Sequence, residues 1–371
     1  MSRDQDAPQN NLADRLRARI QREGPINFHE WMQAALYDER DGYYCRADLI
    51  RQGRAGDYRT APETSALFAA TFANYFTKLY FDLGQPPRWS IIEAGAGSGE
   101  FAYGVLKTLK SGFPAIFEAT HYLFAEASYD SQNQALAKLA PFADRVDFRR
   151  LGEINEPIDH VIIFSNELLD ALPVHRLVGR KHGLRELYVG WGGSGFVWLE
   201  GDPEPDVAEY CTRLRLELAE GQVYEVNLEA DRLVARAAQI IRRGFLVSVD
   251  YGAPRSHLLN APHRFRGTLR GFRRHQMVDD VLADPGCQDL TTTVDWTQIE
   301  EAGTRGGMET LRLERLDQFL LHEDLLETLL AATSRMTDSA GVVSLQTGAR
   351  EMIRPDGLAA SFQVLIQRKD R

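Results

Sequence analysis

Three glycines at alternate positions follow a short apolar stretch and an acid, and this spacing is the clearest chemical feature of the chain. Residues 89–92 have the length and composition of a buried strand, residues 93–99 read EAGAGSG, and a helical stretch begins near Glu100. Glycines let the backbone turn tightly and approach a ligand closely. A helix that starts there points its free N–H groups at that ligand. The stretch therefore predicts a ligand-binding turn.

The spacing of these glycines separates two classes of nucleotide-binding enzyme. Dinucleotide enzymes use G-x-G-x-x-G, which places a pyrophosphate at a helix N-terminus. The present E-x-G-x-G-x-G instead resembles motif I of the class I S-adenosylmethionine (SAM) methyltransferases. That resemblance implies that Glu93 faces the methionine end of SAM and that Gly95, Gly97 and Gly99 bind the cofactor. The alternative is a purely structural turn between a strand and a helix.

Two further positions at predicted strand ends suit a nucleoside, because ligands of such sheets bind at the carboxyl ends of the strands. Glu126 ends a predicted strand at residues 122–126, where its carboxylate can accept hydrogen bonds from both ribose hydroxyls. An acid there would repel a phosphate, which favours SAM or NAD over NADP. The alternative is a solvated carboxylate. Leu151 and Gly152 end the next predicted strand, residues 146–151, where this fold usually contacts adenine.

The fourth predicted strand, residues 158–165, ends where the methyl acceptor is expected. Enzymes that methylate amino groups of nucleic acids commonly carry [D/N/S]-P-P-[Y/F] here, whereas this chain carries Asn166, Glu167 and Asp170. Two carboxylates suit a cationic acceptor such as a guanidinium. We predict Glu167 and Asp170 as catalytic acids, with Asn166 orienting the substrate or the cofactor. The alternative is that Asn166 and Asp170 cap the following turn and that Glu167 is solvated.

Composition limits the class of protein. The chain has 371 residues, 44% hydrophobic and 26% charged, which is ordinary for a globular protein. A net charge of −10 argues against a nucleic-acid partner. The three cysteines are far apart and the histidines lack zinc-site spacing, so we predict a reducing compartment and no metal. The sequence contains no run of about 18 apolar residues, so no membrane span is predicted. The polar residues 1–11 resemble no signal or transit peptide, and a cytoplasmic protein is expected.

The order of predicted elements indicates an α/β fold. Helices are predicted at 12–22, 27–37 and 63–80, before the glycine turn. Strands and helices then alternate, as in a mainly parallel sheet, with strands at 90–93, 122–126, 146–151, 158–165 and 245–251 and helices at 100–110, 131–139 and 230–242. Residues 175–200 suggest a β-ribbon, residues 253–293 show few periodic features, residues 311–330 look helical, and a last strand is predicted at 362–367.

These patterns predict a Rossmann-like sheet of the class I SAM-methyltransferase type, with an N-terminal helical segment and an inserted β-ribbon and helical substrate region. The predicted segments are an N-terminal cover of the cofactor site (1–85), the first part of the core (86–175), an inserted ribbon and helix (176–230), the continued core (231–252), a substrate or lid segment (253–310) and a C-terminal core part (311–371).

Nearly the whole chain resembles one family, the MidA-like methyltransferases, also called the DUF185 family. The matching blocks are INFHEWM at 26–32, ALY at 35–37, DGYY at 41–44, GDYRTAPE at 56–63, EAGAGSG at 93–99, SNELLDALPVH at 165–175, DYG at 250–252, GTLR at 267–270 and DPGCQDLT at 284–291. The chain departs from the family pattern at Ala61, where serine is usual, and at Thr293, where histidine is common. Neither departure removes a charged catalytic group.

The resemblance implies a function and a further part of the site. Eukaryotic members are mitochondrial protein-arginine methyltransferases tied to complex I assembly, so it implies a protein substrate, with a respiratory complex subunit as one candidate. It also implies that residues from the front segment fold over the cofactor, namely Gly56, Asp57, Thr60 and Pro62. The alternative for these residues is a turn and helix cap.

Several questions stay open at this point. A SAM-dependent methyltransferase of RNA or of a small molecule, or a SAM-binding assembly factor without catalysis, would fit the same motifs. The arginines and histidines of residues 263–275 form a basic cluster, which is either a docking surface for an acidic partner or a set of internal salt bridges. The oligomeric state is undetermined.

Overall fold

The computed structural model describes residues 11–46, 66–126, 128–274, 276–334 and 336–370. The chain divides into two compact units. We call the first the ribbon unit (1–50, 172–229 and 256–292) and the second the sheet unit (51–171, 230–255 and 293–371). The six-part division predicted from the sequence remains a prediction.

The described residues form helices and strands that we number in chain order. The helices are α1 Leu12–Glu23, α2 Phe28–Tyr37, α3 Ala66–Asp82, α4 Glu100–Gly112, α5 Pro114–Ala119, α6 Tyr129–Leu139, α7 Pro205–Leu214, α8 Leu228–Ile240, α9 Arg255–Asn260, α10 Trp296–Arg305, α11 Leu316–His322, α12 Leu325–Thr333 and α13 Ser339–Ile353. The strands are β1 Ile26–Asn27, β2 Trp89–Ala94, β3 Thr120–Ala125, β4 Val146–Phe148, β5 Ile158–Asn166, β6 His175–Arg180, β7 Gly183–Trp191, β8 Phe196–Gly201, β9 Val223–Val226, β10 Ile241–Ala253, β11 Arg270–Arg273, β12 Gln276–Val278, β13 Asp289–Thr291, β14 Val294–Asp295, β15 Glu309–Arg315 and β16 Phe362–Lys369.

The sheet unit is built on a mainly parallel sheet with the strand order β15-β16-β10-β5-β2-β3-β4. Strands β10, β5, β2, β3 and β4 run parallel to one another. Strand β16 is antiparallel to both β10 and β15. The predicted Rossmann-like sheet is confirmed.

Apolar packing on both faces explains the central position of β5. Its run Val161–Phe164 is completely buried, as the continuous apolar sequence predicts for a covered parallel strand. Phe164 stacks on Phe101 of α4 with ring centroids 4.3 Å apart. Phe72 and Phe76 of α3 pack edgewise or tilted against the same ring. The long aromatic helix predicted before the glycine turn therefore supplies much of the core under the sheet.

The C-terminal prediction was wrong in part. Residues 311–330 were expected to be helical, but β15 extends to Arg315 and α11 begins only at Leu316. The strand forms because β16 offers an antiparallel partner for residues 309–315, with an irregularity in the register at Leu311. The predicted strand 146–151 also ends early, at Phe148, because its partner β3 ends at Ala125.

The ribbon unit contains the predicted β-ribbon as a five-stranded antiparallel sheet, with the order β1-β7-β6-β9 and with β8 paired to β7. Asn27 caps α2, because its side chain accepts the Glu30 amide at 2.8 Å. The segment without periodic features contains a small sheet with the order β12-β11-β13. Its strands have only three or four residues, too few to show a period. In the described residues, no helix is both long and apolar enough to cross a membrane.

Candidate functional site

The strand order of the sheet unit creates a switch point between β2 and β5. From β2 the chain proceeds outward through β3 and β4, and then returns to the other side of β2 with β5 and β10. In open α/β sheets, ligands bind in the crevice at the carboxyl ends of the strands at such a point. Glu93 lies near the end of β2 and Asn166 is the last residue of β5. The predicted cofactor and acceptor residues therefore meet at the switch point.

The turn after β2 requires its glycines. Gly95, Gly97 and Gly99 have φ values of +69°, +54° and +79°, a left-handed region that favours glycine. A Cβ atom on Gly95 would also lie 2.8 Å from Cδ1 of Leu168. Gly99 is the N-cap of α4, so the turn opens directly onto a helix N-terminus. This cradle has the backbone shape that close approach of a nucleoside cofactor requires.

Glu126 links the glycine turn to the end of β3 by hydrogen bonds. Its Oε2 accepts the amide of Gly97 at 2.8 Å, and its Oε1 accepts the amide of Ser128 at 2.7 Å. Each carboxylate oxygen can accept more than one hydrogen bond. These two backbone contacts therefore fix the orientation of the Glu126 side chain at the end of β3.

Glu93 is a buried acid with an unusual environment. Its side chain is nearly inaccessible, and Oε2 accepts a hydrogen bond from the Tyr122 hydroxyl at 2.6 Å. Burial, opposed by the Tyr122 hydrogen bond and assisted by the charge of Glu126, raises the pKa of Glu93 to about 8. The carboxyl is therefore largely protonated at neutral pH. A ligand that brings a positive charge to this point would favour its ionisation.

The predicted adenine contacts lie in a short turn held by an arginine. Leu151 and Gly152 belong to the 3₁₀ helix Leu151–Glu153, not to a strand. Arg236 of α8 donates to the carbonyl groups of Leu151 at 3.3 Å, Gly152 at 3.5 Å and Ile154. A side chain on Gly152 would meet no atom within 4 Å. Arg236 was not predicted as a site residue, since a charged residue on a helix carries no local signal for such a contact.

The residues predicted to hold the methyl acceptor, Asn166, Glu167 and Asp170, lie in a tight turn after β5, which we call the acceptor turn. Nδ2 of Asn166 donates to Oε1 of Glu167 at 3.1 Å, and Oδ1 of Asn166 is buried without a hydrogen-bond partner among the described residues. Glu167 has a φ of +50°, which is uncommon for a residue other than glycine. Asp170 is 5% exposed. Leu168 lies between the two acids and packs on Gly95, so the acceptor turn touches the glycine turn.

Asp250 is a third acid at this turn and was not among the predicted site residues. It lies in β10 and is completely buried. Its Oδ2 accepts the amides of Leu169 at 2.9 Å and Asp170 at 3.3 Å. The DYG block at residues 250–252 was visible in the sequence, but its place beside the acceptor turn depends on the pairing of β10 with β5.

Some residues predicted for the site or the basic cluster lie outside the part of the chain that the structure describes, namely Gly56, Asp57, Thr60, Pro62 and His275. In the basic cluster, Arg273 pairs with Asp284 at 3.1 Å, as the salt-bridge interpretation expects for that residue.

His175, which closes the block at 165–175, has internal partners in the ribbon unit. Its Nδ1 lies 2.6 Å from Oε1 of the buried Glu186. The other Glu186 oxygen accepts the Glu204 amide at 2.8 Å, and the His175 ring stacks on His29 at 4.8 Å. These contacts give His175 a structural role in that unit.

The sheet with one reversed strand, the glycine turn and the acid after β3 together define a class I SAM-dependent methyltransferase. Residues 71–313 match the model of the family described as "Putative S-adenosyl-L-methionine-dependent methyltransferase". The chain belongs to this family, and the resemblance noted in the sequence is confirmed. Its cofactor is SAM.

Known proteins resemble the chain over most of its length. A Burkholderia thailandensis protein crystallised with S-adenosyl-homocysteine is 28% identical, with a TM-score of 0.84 over 96% of this chain and 92% of that one. The Drosophila melanogaster protein named protein arginine methyltransferase NDUFAF7 homolog, mitochondrial, is 27% identical, with 89% of this chain and 82% of that protein aligned. The Danio rerio protein arginine methyltransferase NDUFAF7, mitochondrial, is 26% identical, with 78% and 71% aligned.

Proposed function

We propose that this methyltransferase methylates the guanidinium of an arginine in a protein. The observation that carries the proposal is the pair of acids Glu167 and Asp170, which flank Leu168 and Leu169 in the turn after β5. Because Leu168 packs on Gly95, this turn lies beside the cofactor turn. An acceptor bound there would be positively charged, since two carboxylates favour a cation.

The site residues have separate roles toward the cofactor in this proposal. Glu126 accepts hydrogen bonds from the ribose hydroxyls, Glu93 faces the methionine end, and Leu151 and Gly152 contact adenine. Gly95, Gly97 and Gly99 permit close approach of the backbone. The roles of Gly56, Asp57, Thr60 and Pro62, and of segments 1–85 and 253–310 as cover and substrate lid, are part of the same proposal and rest on the family resemblance.

At the methyl acceptor, the protein would orient a charged group and accept the proton that it loses. Bound SAM supplies a methyl group on a sulfonium, whose C–S bond breaks with both electrons going to sulfur as the new N–C bond forms. An arginine guanidinium has a pKa above about 12 and stays protonated in water. Glu167 and Asp170 would hold it, localise its charge away from the attacking nitrogen and accept the proton that this nitrogen loses. Asn166 would orient the acceptor, with the reacting atoms about 3 Å apart.

The names of the similar proteins support arginine as the acceptor, since the Drosophila and Danio relatives are both called protein arginine methyltransferases. A respiratory complex subunit is the candidate that the family resemblance suggests. Those relatives are also named mitochondrial, whereas the sequence analysis expects a cytoplasmic protein, and fractionation of cells that express a tagged chain would decide between the two locations.

Comparative mass spectrometry of cells with and without the gene tests this function. We expect methylarginine at one or a few protein sites to disappear when the gene is deleted and to return with a plasmid copy. Unchanged methylarginine together with lost methyl groups in RNA or in a metabolite would overturn the arginine proposal. No change in any methylated species would favour an assembly factor without catalysis.

A further inference from the structure

We propose that Asp250 is a positioning residue of the acceptor site, whose buried carboxyl group holds the turn that carries Glu167 and Asp170. This inference rests on the proposed function, because it assigns Asp250 to the same turn. It does not require Asp250 to touch SAM or the acceptor.

The hydrogen bonds of Asp250 converge on the backbone of the turn. Oδ2 accepts from the amides of Leu169 and Asp170, at 2.9 and 3.3 Å, while Oδ1 accepts from the amide of Tyr251 at 2.9 Å. The side chain is completely buried, so water cannot replace these acceptors. A buried amide that loses its acceptor keeps the cost of its desolvation without compensation, which destabilises the turn. Asp250 therefore fixes two successive amides of the turn to the rigid strand β10.

The turn needs an external support because it is strained at its first residue. Glu167 has a φ of +50°, a left-handed conformation that is unfavourable for a residue with a Cβ. Its amide donates to the carbonyl oxygen of Val249 at 2.9 Å. Val249 and Asp250 are adjacent in β10, so one strand segment binds the amides of Glu167, Leu169 and Asp170. The conformation that presents the two acids is thus imposed by β10.

The environment of Asp250 favours a neutral carboxyl group, which can still accept hydrogen bonds from the turn. Burial and then the charges of Asp170 and Glu167 raise the pKa of Asp250 well above its usual range, although backbone hydrogen bonds oppose this effect. A protonated carboxyl group still offers a carbonyl oxygen to the two turn amides. Asparagine is neutral at every pH and offers the same oxygen to the amides of Leu169 and Asp170, although its NH₂ group then faces the Tyr251 amide outside the turn. The Asp250→Asn variant should therefore keep most of the support of the turn, whereas Asp250→Leu, similar in size, should remove it.

Hydrogen exchange of the whole chain tests the inference at the amides themselves. In the wild type, we expect the amides of Leu169 and Asp170 to exchange at least 100-fold more slowly than in an unstructured peptide. In Asp250→Leu they should exchange at least tenfold faster than in the wild type, with unchanged exchange in Val161–Phe164 of β5. Asp250→Asn should restore most of the protection. Asp317→Asn, at another completely buried acid of the sheet unit, is the matched control and should leave the turn unchanged.

Binding and turnover then separate positioning from general damage. The dissociation constant of S-adenosylhomocysteine, measured by isothermal titration, should stay within threefold in Asp250→Leu. Methyl transfer to the acceptor found by mass spectrometry should fall at least 30-fold in kcat in Asp250→Leu and recover in Asp250→Asn. A failure to find any acceptor would overturn the proposed function and leave the exchange test of Asp250 intact.

Two results would overturn the inference. One is exchange of the Leu169 and Asp170 amides at unprotected rates in the wild type, which can be measured even if Asp250→Leu does not fold. The other is equal acceleration in the turn and in β5 of the Asp250→Leu variant, which would show that Asp250 supports the fold as a whole.

Discussion

The amide of Gly97 donates a hydrogen bond to Oε2 of Glu126 at 2.8 Å, so the glycine turn after β2 and the acid after β3 form one connected structure. The other oxygen of Glu126 accepts the amide of Ser128. A glutamine cannot satisfy both amides, because its NH₂ group would face one of them. A change at Glu126 is therefore expected to disturb the shape of the glycine turn as well as the proposed contact with the ribose.

Replacement of Glu126 by glutamine should weaken cofactor binding. We expect the dissociation constant of S-adenosylhomocysteine to rise about 10- to 100-fold, equivalent to about 1.4–2.8 kcal/mol, as measured by isothermal titration. Glu118→Gln, at an exposed glutamate of the same unit, is the control and should bind like the wild type. Equal affinity in the two variants would show that Glu126 does not contribute to the cofactor site.

The buried Glu93 should make the stability of the ligand-free protein depend on pH. Its pKa is about 8 in the folded chain and 4.5 in an ordinary setting. Between these values the unfolded chain releases the proton and the folded chain keeps it, so the free energy of unfolding falls as the pH rises from about 4.5 to 8. Glu93→Gln removes this loss. The unfolding free energy of this variant, relative to that of the wild type, should therefore rise by on the order of 3–5 kcal/mol from pH 5 to pH 9.

Urea unfolding at several pH values measures the Glu93 effect. Glu118→Gln serves again as the control and should follow the wild-type pH dependence. A constant difference between Glu93→Gln and the wild type across this range would mean that Glu93 is already ionised in the folded protein.

The turn at Leu151 and Gly152 should depend on Arg236. This arginine donates to three carbonyl groups of the turn, so its loss leaves several acceptors without a partner. Arg236→Gln should lower the free energy of unfolding by about 1–3 kcal/mol and weaken S-adenosylhomocysteine binding less than tenfold. Arg242→Gln breaks an exposed ion pair with Asp159 and should change stability by less than about 1 kcal/mol. Denaturant unfolding that ranks the two variants equally would contradict the role of Arg236.

Local patterns predicted the part of the fold that surrounds the proposed cofactor site. The strand before the glycine turn, the covered strand β5 and the aromatic helix α3 all show their period or apolar run in the sequence. The acids at strand ends could be placed together because parallel strands end at one edge of the sheet.

Other features depend on contacts between distant segments. Asp250 reaches the acceptor turn only because β10 pairs with β5, and Arg236 reaches its turn from a helix 85 residues later than Leu151. Strand β15 was mistaken for helix because its pairing with β16 decides its conformation. No short window of sequence contains these pairings.

The ribbon unit should depend on the buried contact between His175 and Glu186. Their side chains are at most 6% exposed, and Glu186 also accepts the Glu204 amide. Glu186→Ala leaves the His175 ring and that amide without this acceptor. At about 1–3 kcal/mol for each buried donor, it should cost about 2–6 kcal/mol of unfolding free energy. Glu200→Ala, at an exposed glutamate of the same unit, should cost less than about 1 kcal/mol. Thermal denaturation that shows similar losses in both would contradict the importance of the buried contact.

The most direct test of the account is transfer of a deuterated methyl group from SAM by the purified protein into an extract of cells that lack the gene. If the chain is a protein arginine methyltransferase, the wild type should give deuterated methylarginine in protein. Glu167→Gln should transfer the methyl group at a rate at least 100-fold lower, while its affinity for S-adenosylhomocysteine should stay within threefold. Deuterium in RNA, in a small molecule or on another amino acid, or full activity of Glu167→Gln, would contradict it.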